Sequence, residues 1–241
     1  MNATHDRYPM QQMTALSRLR PVERSPLWDQ AYASLRAGLM AGRFAPGQRI
    51  LLRDFADQLG ISLTPVRDAV NRLIAERVLE RGSVGQGGGA TVPLLSADLF
   101  GQIMTVRGSL EPVATEAAAQ HATPETLDRI ETALNAMQQT VNAHRPEGYL
   151  EAHHRFHFGI YTLCRMPIVL EIIESAWLRC APTLTLGLPE YIPGLKRFPF
   201  HVAALQALRE GDGRAAAEAI RGDIESARDD ICALLESASR R

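Results

Sequence analysis

The feature that most constrains this chain is the stretch 51–80, LLRDFADQLGISLTPVRDAVNRLIAERVLE, which contains two short amphipathic segments. Apolar residues recur at helical spacing from Leu52 to Leu59, and again from Val66 to Ile74. Gly60 follows the first segment, where a helix ends easily because glycine accepts a positive φ. The pattern predicts two helices joined by a tight turn, with a polar face of the second helix left outside the core.

The start of the second helix carries the residues that we expect to read DNA. An α-helix fits the major groove, and its first turn can present side chains to base edges while nearby positive charges hold phosphates. Arg67 is the strongest candidate, because a guanidinium can bond either guanine or a phosphate oxygen. An ordinary pair of packed helices with a solvated polar face is the alternative. The candidates on this helix are Ser62, Thr64, Pro65, Arg67, Asn71 and Arg72.

A glycine-dense segment follows the two helices. The strand-like runs VLER at 78–81 and ATV at 90–92 enclose SVGQGGG, which predicts a hairpin with polar tips. Such a hairpin is typical of the wing of a winged helix, and Arg81, Gln86 and Gly87 are its candidate DNA contacts. A flexible linker is the alternative, which the glycines at 87–89 would also suit.

These motifs resemble the winged helix of GntR-type bacterial regulators over most of residues 26–93. The resemblance rests on the PG that precedes the second helix and on S-x-T-P-V-R at the start of the third. It implies that Arg53 and Arg67 contact operator DNA. The family usually has an arginine between that serine and threonine, whereas this chain has Leu63. This difference implies one contact fewer, with either an altered operator preference or weaker binding.

Composition and charge exclude several other classes of protein. The chain has 241 residues and a net charge of −1, so any positive charge that meets DNA must act by its placement. Its three cysteines have no C-x-x-C spacing, which argues against a disulfide framework or a zinc ribbon. No apolar run approaches the ~20 residues that span a bilayer, and no signal-like segment begins the chain. We therefore expect a cytoplasmic location and no membrane partner.

The fold class predicted from these patterns is mainly α. We expect a flexible arm at 1–24, a winged helix-turn-helix at 25–93 and an all-helical effector-binding and dimerisation domain at 94–241. Helix-start signals at Ser96, Thr123 and Pro146, another at Pro167, and a break at 211–213 predict six helices after the wing. Six helices with short connections indicate an antiparallel bundle.

A cluster of histidines in the third of these helices, EAHHRFHFGIY, points to a metal. His153 and His157 are four residues apart and project from one face of a helix. His201 on the fifth helix and Asp223 on the last could complete a set of three imidazoles and one carboxylate, which suits Zn²⁺, Ni²⁺ or a related divalent ion. Separate surface or core histidines are the alternative.

The helical part also resembles the all-helical FCD effector domain of the FadR-type branch of the GntR family, over about residues 96–235. The resemblance rests on RGSLE at 107–111, FH at 156–157 and HxxALxALREGD from His201. Metal-binding members have an aspartate four residues before the FH histidine and a histidine near the end of the domain. Here His153 and Asp223 occupy those two places in exchanged order, which implies either an altered metal geometry or loss of the metal.

Effectors in this family are mostly small carboxylates and sugar acids, so the resemblance implies an effector of that kind, bound at the metal. Arg107 could pair with its carboxylate. A salt bridge between Arg107 and Glu111, one helical turn away, is the alternative for this arginine. Tyr161 and Arg165 are further candidates for effector binding.

The function predicted from these features is that of a homodimeric regulator, which binds a palindromic operator and is controlled by its effector. The resemblance implies a repressor, and an activator is the alternative. The alternative is a metal-dependent hydrolase or another metalloenzyme that uses the histidine cluster. No H-E-x-x-H motif supplies a general base inside the histidine pair. We therefore expect a regulator and not an enzyme.

Overall fold

The computed structural model describes residues 26–82, 89–143, 148–188 and 196–239. Within these ranges the chain forms nine α-helices, two short 3-10 helices and three short strands. The predicted arm at 1–24, the helix start at Pro146, and Gln86 and Gly87 of the wing lie outside the described residues.

The N-terminal part is a winged helix, as the sequence predicted. Its sheet is antiparallel, with β3 (Gly89–Thr91) between β1 (Arg49–Leu51) and β2 (Glu80–Arg81), and Thr91 lies opposite both Arg49 and Glu80. The strand β1 was missed from the sequence because its three residues run directly into the next helix with no turn between them. The elements are α1 Leu27–Met40, β1 Arg49–Leu51, α2 Leu52–Leu59, α3 Leu63–Ala75, β2 Glu80–Arg81 and β3 Gly89–Thr91.

The predicted apolar stripes form the core of the winged helix. Leu35 of α1, Phe55 of α2 and Leu73 of α3 are all buried. Gly60 ends α2 with φ 65°, as expected. Ser62 occupies the N-cap of α3, but its side chain makes no capping hydrogen bond, so it leaves the N–H groups of the first turn free.

The C-terminal part contains six α-helices among its described residues. Ser96 caps the first of them, since its Oγ accepts a hydrogen bond from the Leu99 N–H at 3.2 Å, and Thr123 caps the second. The fourth continues past Pro182 to Leu184 instead of ending there. The helices are α4 Ala97–Ala119, α5 Pro124–Asn142, α6 Tyr149–Tyr161, α7 Pro167–Leu184, α8 Phe198–Arg209 and α9 Gly213–Ser239.

The two parts contact each other through α1, which packs against α6 and α7. Gly42, with φ 68°, lies two residues after the end of α1, and a Cβ at this position would collide with the side chain of Leu150 at the start of α6. The winged helix is thus packed directly on the helix that carries His153 and His157. No helix in the described ranges is long and apolar enough to cross a membrane.

Candidate metal centre and DNA-reading helix

Three helices bring the predicted metal ligands together. His153 and His157 project from one face of α6, His201 comes from α8 and Asp223 from α9. All four side chains are buried, and one donor atom of each lies within 4.8 Å of the donors of the others. The sequence therefore predicted correctly that these four residues converge.

The distances within the group suit a small divalent ion. His157 Nε2 lies 3.0 Å from His153 Nε2 and 3.2 Å from His201 Nε2. The Asp223 carboxylate oxygens lie 3.5 Å from His157 Nε2 and 3.6 Å from His201 Nε2. Four donors placed about 2.1 Å from a tetrahedral ion would be ~3.4 Å apart. The spacing of these donors is close to that arrangement.

Hydrogen bonds on the far side of the rings fix two tautomers. Tyr161 donates its hydroxyl proton to Glu111 Oε2 at 2.5 Å, so its oxygen accepts from His157 Nδ1 at 2.8 Å. His201 Nδ1 lies 3.1 Å from the carbonyl oxygen of Arg197, which can only accept. Both protons therefore sit on Nδ1, and the two Nε2 lone pairs face each other.

The Nε2 atoms of His157 and His201 are 3.2 Å apart, and their lone pairs repel each other unless a cation lies between them. Buried His153 Nδ1 has no hydrogen-bond partner among the described residues, so this ring is not held in place by hydrogen bonds on its far side. The donor set and its tautomers thus fit a bound metal ion better than a network of hydrogen bonds between neutral side chains.

Burial sets the protonation state of the cluster. It lowers the pKa of His153 and of His157 well below the ordinary value, and the neighbouring histidines and Arg107 lower it further. Burial also lowers the pKa of His201, although Asp223 opposes this shift. The imidazoles are therefore neutral at pH 7, which is the form that binds a metal.

A second layer of buried polar groups supports His157. The Arg107 Nε donates to Glu111 Oε1 at 2.7 Å, and the Trp177 Nε1 donates to the same oxygen at 2.7 Å. The guanidinium also lies 4.1 Å from the centre of the Trp177 ring. Burial alone would lower the pKa of Arg107, but Glu111 beside it raises that pKa overall. The salt-bridge alternative for Arg107 is thus present in the fold.

The other two predicted effector residues, Tyr161 and Arg165, differ in their burial. Tyr161 belongs to the buried cluster through Glu111 and His157. Arg165 is exposed and follows the 3-10 helix at the end of α6 with φ 54°. Sequence reasoning missed Trp177, because nothing in the spacing of α7 distinguishes this tryptophan from an ordinary core residue.

Seven of the predicted DNA-binding residues are exposed on the winged helix. Arg72 differs from the others because its Nε bonds Glu76 at 3.0 Å and its guanidinium lies 4.0 Å from the centre of the Tyr32 ring. Pro65 is partly buried at the start of α3. The exposed candidates are Arg53, Ser62, Thr64, Arg67, Asn71, Arg72 and Arg81. Their contacts with DNA remain predictions.

A winged helix with exposed arginines, joined to an all-helical domain, is the arrangement of a transcriptional regulator with a separate DNA-binding part. Residues 27–92 match the model of the bacterial regulatory proteins of the gntR family, and residues 102–226 match the FCD domain. The chain belongs to the GntR family, in its FadR-type branch with an FCD domain.

Known regulators resemble the chain over most of its length. The HTH-type transcriptional regulator McbR of Escherichia coli (strain K12) is 30% identical over 201 residues, which cover 81% of this chain and 90% of McbR. The solved structure of E. coli McbR/YncC, at 26% identity, has a TM-score of 0.76 and covers 90% of this chain and 100% of its own.

A GntR regulator from Rhodococcus sp. RHA1 matches with a TM-score of 0.68 over 85% of this chain and 96% of its own, and its 21% identity shows the fold alone. Both family matches and McbR are transcriptional regulators. The expectation of a regulator and not an enzyme is confirmed, and the metalloenzyme alternative is not favoured.

Proposed function

We propose that this protein is a homodimeric repressor whose binding to a palindromic operator is controlled by a small carboxylate or sugar acid, bound at a divalent metal in the helical domain. The observation that supports a metal is the orientation of His157 and His201. Their Nε2 atoms are 3.2 Å apart, and the lone pairs of these atoms face each other. The domain boundaries 25–93 and 94–241 belong to this proposal.

The metal ligands in this proposal are His153, His157, His201 and Asp223. When bound, an ion such as Zn²⁺ or Ni²⁺ supplies a positive charge and a coordination position for a carboxylate oxygen. Tyr161 holds His157 in the tautomer that leaves Nε2 free for the metal. The ion therefore has a preorganised set of donors supported by a second layer of hydrogen bonds.

The effector site is proposed to extend from the metal toward Tyr161 and Arg107. Arg107 is fully buried, and its pair with Glu111 determines where the acceptor of the Tyr161 proton lies. In this role Arg107 acts by positioning other groups and by its charge. Arg165, which is exposed, stays a candidate from the sequence alone.

An apolar stripe on α4 supports dimerisation. Leu99, Val106 and Val113 are seven residues apart, so they share one helix face, and each is more than a third exposed. Large apolar side chains that share an exposed face are typical of a protein interface. A dimer with two-fold symmetry would place two α3 helices on half-sites about one helical turn of DNA apart, ~34 Å.

Control by the effector requires that it bind one dimer geometry more tightly than another. Occupancy of the metal centre would favour a geometry in which the α3 helices no longer match the half-site spacing. A coupling free energy of ~1–3 kcal/mol is ordinary for such regulators. In this scheme the protein binds the operator and represses transcription in the absence of the effector. It releases the operator when the effector binds.

Selection of bound duplexes from a random pool tests the proposal directly. We expect the purified full-length protein to enrich a palindrome, and the Arg67→Ala variant to enrich it more weakly. Repetition of the selection with a chelator, and then with small carboxylates and sugar acids on the metal-loaded protein, tests control. Absence of enrichment from every condition would contradict the repressor, while enrichment that neither chelator nor acids change would contradict control through the metal.

A further inference from the structure

A cavity of about 460 Å³ lies between the winged helix and the helical domain. Its walls come from α1 on one side and from α6 and α7 on the other. None of the four proposed metal ligands lines it, and His154 faces it while its neighbour His153 faces the metal centre. The cavity is therefore a different site from the one described above.

Much of the lining of this cavity is apolar. Ala33 and Ala37 lie one turn apart on α1, and their short side chains leave the space between the helices open. Phe158 is buried at the opposite wall, and the His154 ring stacks on it with centroids 4.3 Å apart and an interplanar angle of 29°. Such a surface suits an aromatic or aliphatic body.

The rim of the cavity carries an excess of positive charge. Arg36 pairs with Glu174 at 3.0 Å, and Arg43 pairs with Glu151 at 3.4 Å. The third arginine, Arg155, is exposed and has no hydrogen bond or ion pair among the described residues. Its charge is thus the one at the rim that no carboxylate balances, and it is available to an anionic ligand.

We propose that this interdomain cavity is a second ligand site, which binds an organic anion with an apolar body against Phe158 and His154 and a carboxylate or sulfonate on Arg155. The volume falls within the ~300–1,000 Å³ of typical small-molecule sites, which occur preferentially at domain interfaces. The site does not depend on a metal or on the effector proposed above. A ligand there contacts both parts of the regulator at once.

Anilinonaphthalene sulfonate, an aromatic anion that fluoresces in apolar sites, is a suitable probe for the full-length protein. We expect one probe per chain in this site. Arg155→Gln should weaken binding about tenfold, because a charge-assisted hydrogen bond is lost. Ala37→Phe, which fills the cavity from an exposed position, should abolish binding, and Ala33→Leu serves as a second filling variant. Arg214→Gln, which removes an exposed arginine from α9, is the matched control and should leave affinity unchanged.

The uncharged N-phenylnaphthylamine, with the same rings and no sulfonate, separates the two parts of the proposal. Its binding should be weaker in the wild type and insensitive to Arg155→Gln, but it should be lost in the filled variants. Equal affinity of the anionic probe for the wild type, Arg155→Gln and both filled variants would overturn the site. Loss of probe binding in the filled variants without any effect of Arg155→Gln would overturn its preference for anions.

Discussion

Two helices of equal length hold the proposed functional residues in opposite ways. Both α3 and α6 have thirteen residues. The helix α3 buries apolar residues and keeps its candidate DNA contacts, such as Arg67, in solvent. The helix α6 buries His153, His157 and Tyr161 within the core. If the proposed roles hold, function is separable from stability on α3, whereas on α6 the same side chains serve both.

The largest effect is expected on the stability of the Arg107→Ala variant. Removal of this guanidinium leaves the Glu111 carboxylate buried with no opposite charge, which typically costs about 3–5 kcal/mol. Urea unfolding at neutral pH measures the loss. Arg67→Ala is the control, since an exposed arginine without structural contacts should change stability by less than ~0.5 kcal/mol. A loss below ~1 kcal/mol for Arg107→Ala would show that the buried pair is not integral to the fold.

The next effect concerns the metal. In the wild type, free Zn²⁺ at a hundred times its dissociation constant should raise the free energy of unfolding by about 2.7 kcal/mol. His157→Ala should abolish this gain and the bound metal, because His157 Nε2 is the donor closest to the other imidazoles. Metal analysis after dialysis measures the Zn²⁺ bound per chain, and His121→Ala is the control outside the cluster. Full metal occupancy in His157→Ala would mean that the four side chains form no metal site.

A smaller effect is expected for Arg67→Ala on operator binding. Loss of one arginine contact to a base costs ~1–3 kcal/mol, while loss of a phosphate contact would weaken binding to all sequences alike and reduce its salt dependence. Titration of a selected duplex at two salt concentrations distinguishes these contacts. Arg129→Ala, on the exposed face of α5, should bind as the wild type does. Unchanged operator affinity for Arg67→Ala would remove this residue from the proposed DNA contacts.

The smallest effect lies at the rim of the winged-helix core, where the Tyr32 hydroxyl donates to Glu76 Oε2 at 2.7 Å. Burial and the nearby Glu76 carboxylate raise the pKa of Tyr32 to about 12. An unfolded tyrosine ionises near pH ~10, so the contribution of Tyr32 to stability is complete below pH 10 and is lost as the pH rises toward 12.

Tyr32→Phe should therefore cost about 1 kcal/mol at neutral pH, as one hydrogen bond does, and should flatten the fall in stability above pH 10. Denaturant unfolding at a series of alkaline pH values measures both quantities. An identical alkaline profile for the two proteins would show that Tyr32 is not shielded as described.

The periodic parts of the fold were predictable from the sequence. The stripes on α2 and α3 report burial against a neighbouring element, and the capping residues Ser96 and Thr123 mark helix starts by local chemistry. By contrast, β1 depends on pairing with β3, some forty residues away, and three residues are too few to show a pattern. Local signals were thus sufficient for helices and insufficient for this strand.

The candidate metal centre was also predictable only in part. The spacing of His153 and His157, with the family resemblance for His201 and Asp223, was enough to predict which side chains converge. The link from Trp177 through Glu111 to Tyr161 joins α7, α4 and α6, and only the packing of these helices brings the three residues together. The interdomain cavity was equally hidden, because it arises from short side chains at Ala33 and Ala37 on a face of α1 that no core pattern marks.

In the proposed regulator, a substitution at Gly42 would change the sensitivity of DNA binding to the effector. The residue lies where the winged helix meets Leu150, at the start of the helix that carries His153 and His157, and any side chain there would have to displace that leucine. One added methyl group at this position could change how strongly the two parts influence each other, with every proposed DNA contact and metal ligand left intact. Dose response and recognition would then evolve as separate traits of one regulator.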